Sequence, residues 1–491
     1  MFIIALSPVI LIFILVIFFK IDILKLSIIS FFYTVLITLF LFKTSLKVII
    51  LSSVDGVITT LPILFVVYTG ILLSQFLIEK GSLQELTSLF MKGLRNKFQK
   101  AILLTAGFVN FFEGAGVIAE PVAAPMLYSA GISSEGSVAL SILGYSGLMH
   151  LALAGVIVTV LSNVTLIPPD ILSYDLIYLS FPATIFLFLT IPYLIDEPKL
   201  LRKNFLTIVA TAVVVNLFAL ITIKFISYSV SAMIGGIGGI FFLYLIYKIR
   251  PNITKENFKH IIPFLSIFIF LSSVNLITPI KNIVFNKLIF KFAIIPFHTI
   301  NIRPFYSAYI YLFISFLISF KLFAEKDESI FKHLTASIVK AYKPVISMAF
   351  FGAMGSVIAF SGLNSSLTAI TNNNNIAFQL ATGFVKYSGK LYPIFTPLLG
   401  WIGTFLTGYG IASIMLFGKL QLKTAFMLGI SKSLLSSSLT VGASIGSISS
   451  PFKIALAAPL CNAVGKEGNI LKKTIPIGII VALLVGICSI I

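Results

Sequence analysis

The chain has 491 residues, of which 58% are hydrophobic and only 10% are charged, and its mean hydropathy is +1.09. These values exclude a soluble globular protein and indicate a membrane protein. The formal net charge of +19 does not indicate a nucleic-acid partner, because the basic residues lie in short loops between apolar segments and not in one tract.

Apolar segments of roughly 18 or more residues recur from end to end, and each is long enough to cross ~30 Å of hydrocarbon as a helix. They cover 2–19, 24–42, 48–78, 136–163, 171–195, 205–223, 228–247, 261–279, 305–324, 342–360 and 474–491. The ~10-residue alternation of a membrane barrel is absent. We therefore predict an all-α polytopic integral membrane protein, with about 12 transmembrane helices in the lipid bilayer of the cell membrane.

Basic residues concentrate in four segments between these spans, 79–100, 196–204, 248–259 and 321–343. The positive-inside rule puts all four segments in the cytoplasm and the N-terminus outside. A fifth basic segment, 281–303, comes out external on this count and is inconsistent with the rule.

Two stretches, 107–131 and 397–465, are rich in Gly, Ser and Pro. Irregular backbone at membrane depth persists only where it is buried in protein or lines a wet cavity. We therefore predict broken helices or re-entrant hairpins there, which in transporters come as symmetry-related pairs at the substrate site.

An internal match supports such a pair, because "FFEGAGVI" at 111–118 aligns with "FLTGYGIA" at 405–412. It predicts a first transmembrane repeat over 1–195 and a second over 341–491. The central helices of 196–340 would then be a scaffold or linker, or form the surface of a homodimer.

Three of the sixteen acids, Asp55, Glu113 and Glu120, fall within otherwise apolar segments. An ionised acid costs ~2.5–3.5 kcal/mol at the centre of a membrane helix, so such a residue normally faces a cavity or a partner. Removal from water lets a carboxyl take and release protons near neutral pH, which predicts proton coupling at Glu113 and Glu120. The alternative is that either glutamate caps a broken helix. For Asp55, near the outer end of its span, we expect interfacial solvation.

His150 lies in the middle of the predicted span 136–163. A histidine at this depth either relays protons or makes a hydrogen-bonded helix contact, and both readings stay open. His260, His298 and His333 fall at interfaces or in loops, where we expect structural roles.

The sequence "SISSPFKIALAAP" contains a helix start, with Ser449 or Ser450 as N-cap and Pro451 in the first turn. Free N–H groups at a helix start attract a carboxylate. Lys453 could supply the countercharge there, or its side chain could extend to the membrane interface.

Enzyme motifs are missing, including a Walker loop, a dinucleotide fingerprint and a nucleophile elbow. Cys461 and Cys488 are the only cysteines and the histidines are scattered, so we expect neither a disulfide framework nor a metal site. The sequence therefore predicts no cofactor and no enzymatic activity. An integral membrane transferase, the remote alternative, would need clustered acids, histidines or arginines at one interface.

Three blocks of sequence resemble the L-lactate permeases, proton-coupled carriers of lactate and glycolate. The first block runs from about Leu61 through "FVNFFEGAGVIAEPVA". The second is "IAFSGLNSSLTAI" followed by "PLLGWIGTFLTGYGIASIMLFGKLQ", and the third is "TVGASIGSISSPFKIALAAPLCNAVGKEGNILKKTI". The resemblance implies a secondary transporter that moves a small organic monocarboxylate with protons. A dicarboxylate or another anion, moved with sodium, is the alternative cargo.

Physics and resemblance together assign the site. Glu113 matches the acid of the family. The predicted proton-coupling residues are Glu113, Glu120 and His150, and the predicted substrate-binding residues are Gly114, Gly116, Asn364, Thr407, Gly408, Gly410, Ser449, Ser450 and Lys453.

The chain also departs from the residues that such carriers usually have. They usually have a Gly-Phe-Gly-like run at 117–119, a small residue in place of Glu120, an acid in place of Gly410, an asparagine in place of Ile414 and a lysine in place of Ser447. Lys453 does not stand at the family's lysine position. These departures bear on the identity of the substrate more than on transport itself.

Overall fold

A computed structural model describes residues 1–17, 19, 21–249, 254–296 and 298–490. One residue near the end of the predicted first span, 2–19, therefore lies outside the described residues. The middle of the basic segment 248–259 lies outside them as well. The α-helices are Phe2–Ile17, Ile23–Phe40, Leu46–Glu79, Ser82–Met91, Lys97–Ile102, Val109–Gly114, Glu120–Ser129, Ser134–Ser146, Val156–Thr165, Pro169–Leu189, Ile191–Leu194, Leu200–Phe225, Ser231–Tyr247, Lys255–Phe258, Ile262–Leu276, Thr278–Lys281, Ala308–Phe323, Ile330–Phe360, Ile376–Ser388, Tyr392–Thr407, Gly410–Leu428, Lys432–Gly446, Pro451–Ala457 and Glu467–Cys488.

Among the described residues, eight helices are long and apolar enough to cross a membrane, or up to ten if two bent pairs each count as one span. The prediction of an all-α polytopic membrane protein is confirmed. The predicted number of about 12 spans is not confirmed, because several apolar segments form short or bent helices.

A two-stranded antiparallel β-hairpin, Phe290–Ile295 with His298–Ile302, departs from the helical pattern. Its strands pair Lys291 with Asn301 and bulge between Phe292 and Ile295. In the sequence this region is marked only by its basic residues, so the hairpin was not predicted.

Two helical hairpins contain the predicted breaks. The first broken hairpin, 97–129, includes a π-helical turn at Leu103–Phe108, ends its first arm at Gly114 and restarts at Glu120. Gly116, between the arms, has a φ of +86°, a conformation that favours glycine. The second broken hairpin, 392–428, turns at Gly408, whose φ is +80°.

Two further helices are interrupted. The first broken helix, 134–165, is irregular from Gly147 to Gly155, where Leu153 and Ala154 have left-handed backbone. The prediction of one unbroken span over 136–163 was therefore wrong. The second broken helix, 432–461, bends by 45° before Pro451, inside the predicted stretch 397–465.

The described parts of the four predicted cytoplasmic segments, or residues next to them, meet at one end of the helix bundle. Polar contacts across this end join Lys80 to Glu328, Lys97 to Glu197 and Ser82 to His260. We call this end the basic face. The β-hairpin lies towards the other end, since its His298 contacts Asp55, on the order of 35 Å from Glu79 along the helix Leu46–Glu79 at ~1.5 Å per residue.

Candidate functional site

Glu120, Tyr145 and Lys453 form a buried triad. Lys453 Nζ donates to the Tyr145 hydroxyl at 2.6 Å, and this hydroxyl donates to Glu120 Oε1, also at 2.6 Å. Lys453 Nζ lies 3.4 Å from Glu120 Oε1. The three residues come from the first broken hairpin, the first broken helix and the second broken helix, so the triad joins three interrupted elements.

The second carboxylate oxygen of Glu120, Oε2, is buried and has no hydrogen-bond partner among the described residues. A buried acceptor without a partner costs free energy unless a ligand, a proton or water satisfies it. Because Glu120 bonds to Tyr145 across the bundle, its carboxylate is not used as a helix cap.

Glu113 lies beside this triad at the end of the first arm of the hairpin. Its Oε1 accepts a hydrogen bond from the Ala119 N–H at 3.1 Å, which closes the break of the hairpin. Its carboxyl also interacts electrostatically with Glu120 and Lys453. Two acids therefore share one lysine, and the buried group is charge-balanced only when one acid carries a proton.

The turn of the second broken hairpin reaches the same region. The ring of Tyr409 lies 5.1 Å from that of Phe452, next to Lys453. Gly408 also packs closely against Phe452, because a β carbon added at Gly408 would lie only 2.9 Å from the β carbon of Phe452. Thr407 donates to the carbonyl of Gly403 at 2.7 Å, so its hydroxyl holds the end of its own helix.

Met149 connects this turn to the first broken helix. Its sulfur accepts a hydrogen bond from Ser447 at 2.8 Å, and its terminal methyl lies 3.4 Å from where a β carbon of Gly410 would stand. The turn at Gly410 and the breaks near Met149 and Ser447 therefore meet. Of the predicted glycines, Gly114 instead packs against the backbone of Met233 and Gly116 against Leu312.

Ser450 is the N-cap of Pro451–Ala457, as the sequence predicted, and its hydroxyl accepts from the Lys453 N–H at 3.5 Å. Ser449 donates to the Thr474 carbonyl at 2.9 Å and so anchors the following helix. The α-helix has only 7 residues, and a dipole this short contributes little beyond its first turn. Lys453 is buried, so the reading in which it extends to the interface was wrong.

His150 lies in the break of the first broken helix and not within a regular span. It is fully buried, with Nε2 2.7 Å from Ser180 Oγ and Nδ1 3.1 Å from Ser444 Oγ. Ser180 also donates to the carbonyl of Leu176, and Ser444 donates to that of Thr440. Both ring nitrogens have partners, which favours the hydrogen-bonded helix contact.

Asn364 is exposed and bonds within its own loop, to Thr368 and Ala369. The next residue of that loop, Ser365, accepts from Lys47, at the opposite end of Leu46–Glu79 from the first broken hairpin. The hairpin meets this helix at Ser74, which bonds to the Ile118 N–H. The two levels are ~40 Å apart along the helix, so Asn364 does not lie with the triad, and its role in substrate binding stays a prediction.

Asp55 is not solvated at an interface, and that prediction was wrong as well. It is 1% exposed. Its carboxylate lies 2.9 and 3.0 Å from His298 Nδ1 and accepts from Ser356 at 2.9 Å. The rule that an intramembrane acid needs a partner gave the only available signal, and spacing did not point to a histidine 243 residues away.

Interrupted helices that bring buried charges together inside an apolar bundle define a class, the multi-pass membrane proteins built like secondary transporters. Within that class, the chain belongs to the L-lactate permease family, whose model matches residues 1–261 and 256–491. Membership in a permease family indicates a transporter, and not an enzyme, at the level of the family.

Local matches to individual relatives are shorter. The glycolate permease GlcA of Escherichia coli (strain K12) is 32% identical over 146 residues, which are 30% of this chain and 24% of the relative. The L-lactate permease of the same strain is 30% identical over 164 residues, 33% of this chain and 30% of the relative. That of Bacillus subtilis (strain 168) is 32% identical over 120 residues, 24% of this chain and 21% of the relative. The matched segments thus span less than a third of each relative.

Proposed function

We propose that the protein carries a small 2-hydroxymonocarboxylate, such as lactate or glycolate, across the cell membrane together with a proton. Family membership supports the class of cargo, since the relatives are named as lactate and glycolate permeases. The observation that carries the proposal is the buried triad of Glu120, Tyr145 and Lys453, with the unpartnered Oε2 of Glu120 and with Glu113 beside it.

Lys453 is the countercharge for the substrate. Glu120 and Tyr145 are the partners of its ammonium group in the structure. An incoming carboxylate competes with Glu120 for this group, because one ammonium cannot fully compensate two buried anions. Tyr145 can remain as a donor to either anion, so the exchange needs no large rearrangement.

Proton coupling follows from the same competition. When the substrate takes the ammonium, the displaced carboxylate of Glu120 is left buried without a countercharge. It then takes up a proton, since a neutral acid is far less costly in an apolar surrounding than an unpaired anion. Glu113 shares that proton through its electrostatic contact with Glu120, and anion and proton therefore bind together.

The unpartnered Oε2 of Glu120 accounts for a preference for 2-hydroxy acids. A hydroxyl next to the substrate carboxylate can exchange a hydrogen bond with this oxygen, whether or not the oxygen carries the proton, while the carboxylate contacts Lys453. A site built to accept a hydroxyl hydrogen bond discriminates strongly against an analogue that lacks the hydroxyl, because the buried acceptor is then left unpaired.

The proposed transporter has two repeats, 1–195 and 341–491, around the central helices 196–340. Element order supports this division: a broken hairpin, a broken helix and a long helix follow one another in both parts. The break that follows Gly114 and the break that follows Thr407 both begin within the two aligned motifs. Alternating access would then move the elements of the triad against the central helices.

Proteoliposomes loaded with a pH-sensitive dye test the proposal. Gradients of L-lactate or glycolate should drive protons inward, whereas propionate, which lacks the 2-hydroxyl, should drive at least about tenfold less flux. The cycle moves a neutral proton–anion pair, so a membrane potential should change its rate little; each extra charge would couple ~2.3 kcal/mol per 100 mV.

Glu113→Gln should lower this proton flux at least about tenfold, whereas Glu85→Gln, at an exposed position, should leave it unchanged. Undiminished flux in Glu113→Gln would reject the role given to Glu113. A requirement for sodium, or faster movement of succinate than of lactate, would favour the alternative cargo.

A further inference from the structure

A partly open cavity of about 190 Å³ lies between the first broken helix, the start of Pro169–Leu189 and the segment after the β-hairpin. It is smaller than the roughly 300–1,000 Å³ of pockets for drug-sized ligands, and therefore suits a small acid. Pro168 and Pro169 line it. The continuation of their helix ends near Ile195, whose carbonyl accepts from Lys97 on the basic face, so the cavity lies towards the opposite face.

Ala154 lines the cavity and lies in the break of the first broken helix. Met149 and His150 belong to the same break, and Met149 contacts Ser447 and the surroundings of Gly410. One irregular segment therefore separates the cavity from the candidate site.

Arg303 lines the cavity and is held in place by Phe285. Its Nε donates to the Phe285 carbonyl at 2.9 Å, and its guanidinium lies 4.1 Å from the centre of the Phe285 ring. No described acid forms an ion pair with Arg303. Its terminal N–H groups therefore remain available for a planar anion, and the fork of donors matches a carboxylate.

Asn163, on the adjacent wall, supplies a second donor that points to a ligand. It is 8% exposed, and its side-chain Nδ2 has no hydrogen-bond partner in the described part of the chain. Its backbone is fixed independently, because the Asn163 carbonyl accepts from His298 Nε2 at 2.9 Å. A buried amide donor without an acceptor is unfavourable, and an anion in the cavity would satisfy it.

Tyr228 contributes a third polar group to the lining. Its hydroxyl lies 3.5 Å from Thr159 Oγ1, where either oxygen could be the donor. It also interacts with the hydroxyl of Tyr306, which itself donates to Asn275, so Tyr228 adds polarity to the lining but no free donor. Asp170 is the opposing charge, since it interacts electrostatically with Tyr228 and Tyr306. Asp170 is exposed, so water and salt screen it.

We propose that this cavity binds a small monocarboxylate at the face opposite the basic face, with Arg303 as its countercharge and the Asn163 amide as its hydrogen-bond donor. The site collects the anion before it reaches the triad. The proposal takes the class of anion from the proposed function, but binding here does not require that the triad transports.

Equilibrium dialysis with labelled L-lactate tests the site in protein that carries Glu120→Gln and Lys453→Gln, which together disable the triad by removing both members of its ion pair. In this background Arg303→Gln should weaken binding about tenfold. Arg202→Gln, which removes an exposed arginine near the basic face, is the matched control and should bind like the parent. Binding unchanged by Arg303→Gln would overturn the proposal.

Asn163→Leu is a second variant, because it removes the unpartnered amide and keeps the backbone carbonyl that His298 needs. It should weaken lactate binding several-fold with an unchanged melting temperature. Unlabelled acetate should displace lactate from the parent, whereas chloride displacing it equally well would overturn carboxylate recognition. If Lys453→Met abolishes transport but Arg303→Gln leaves lactate binding unchanged, the cavity proposal is rejected and the proposed function is not.

Discussion

Two buried charge clusters lie at different depths of the bundle, and they differ in how completely their hydrogen bonds are satisfied. In the outer cluster, both oxygens of Asp55 have partners in His298 and Ser356. In the inner cluster, Glu120 Oε2 has none among the described residues, while two acids compete for Lys453.

Both ring nitrogens of His298 in the outer cluster also have hydrogen-bond partners. Its Nε2 faces the Asn163 carbonyl, which can only accept, so this nitrogen carries a hydrogen. Asp55 and Ser356 come from the continuous helices Leu46–Glu79 and Ile330–Phe360, whereas the inner cluster sits on helix breaks. A saturated network fixes how helices pack, and an unsaturated one has capacity for a ligand and a proton. The comparison assigns structure to the first cluster and function to the second.

Lys453→Met should have the largest effect, a loss of lactate uptake of about 100-fold or more. It removes the substrate's countercharge and leaves Glu120 buried and unpaired, which destabilises by ~3–5 kcal/mol. Counterflow of labelled lactate in proteoliposomes measures the loss. The double variant Glu120→Gln with Lys453→Met should regain thermal stability without regaining uptake, and uptake restored in it would show that the pair is structural.

Asp55→Ala should lower the free energy of unfolding by ~3 kcal/mol, because His298 and Ser356 are left without an acceptor. Asp55→Asn should recover most of this loss, since an amide can donate to a neutral His298 and accept from Ser356. Thermal unfolding in detergent measures both variants. We expect uptake per folded molecule to be unchanged, and a stable Asp55→Asn protein that cannot transport would reverse the comparison.

Tyr145→Phe should raise the KM for lactate about tenfold, because it removes the hydroxyl between Lys453 and Glu120, a charge-assisted bridge worth ~1.5–3 kcal/mol. Tyr392→Phe is the matched control: that tyrosine is equally buried, and its hydroxyl bonds to Gln421 at 3.1 Å, outside the triad. Initial rates over a range of lactate concentrations distinguish the two variants. Equal shifts in both would indicate a general packing effect.

Glu328→Gln should have the smallest effect, and it is a pH effect on the basic face. The hydrogen bond from Lys80 holds the pKa of Glu328 down to about 2, from 4.5. A depressed carboxyl pKa stabilises the fold above pH 4.5, and the contribution fades as the pH falls towards 2. Ion pairs near the surface contribute about 1 kcal/mol at most. Melting temperatures should separate wild type from Glu328→Gln at pH 6 and converge by pH 2, and a constant separation would contradict this assignment.

The broken hairpins were predictable from the sequence because helix interruption is a local property. Gly, Ser and Pro at 107–131 and 397–465 marked them, and Ser450 before Pro451 marked a helix start. The break around His150 was missed, since "GLMHLALAG" is as apolar as a regular span. There the left-handed backbone at Leu153 and Ala154 depends on packing that a hydropathy pattern does not contain.

Other parts of the site show the same division. Glu113 and Glu120 were recognisable as functional candidates because an acid in an apolar segment is costly wherever its partner lies. Asn364 was assigned from its motif alone, and the structure places it in an exposed loop. The β-hairpin was not predicted because its short strands lie in the basic segment 281–303, which was interpreted from its charge as a loop.

By itself, the sequence determined the membrane class, the all-α fold, the helix breaks near Gly116 and Gly408 and the presence of costly buried charges. Length, hydropathy and backbone preference act over a few neighbouring residues, so they can be read along the chain. Only the tertiary structure decided which charges meet, Glu120 with Lys453 and Asp55 with His298. Pairing depends on which helices pack together, and its free energy exists only when both partners are removed from water at the same place.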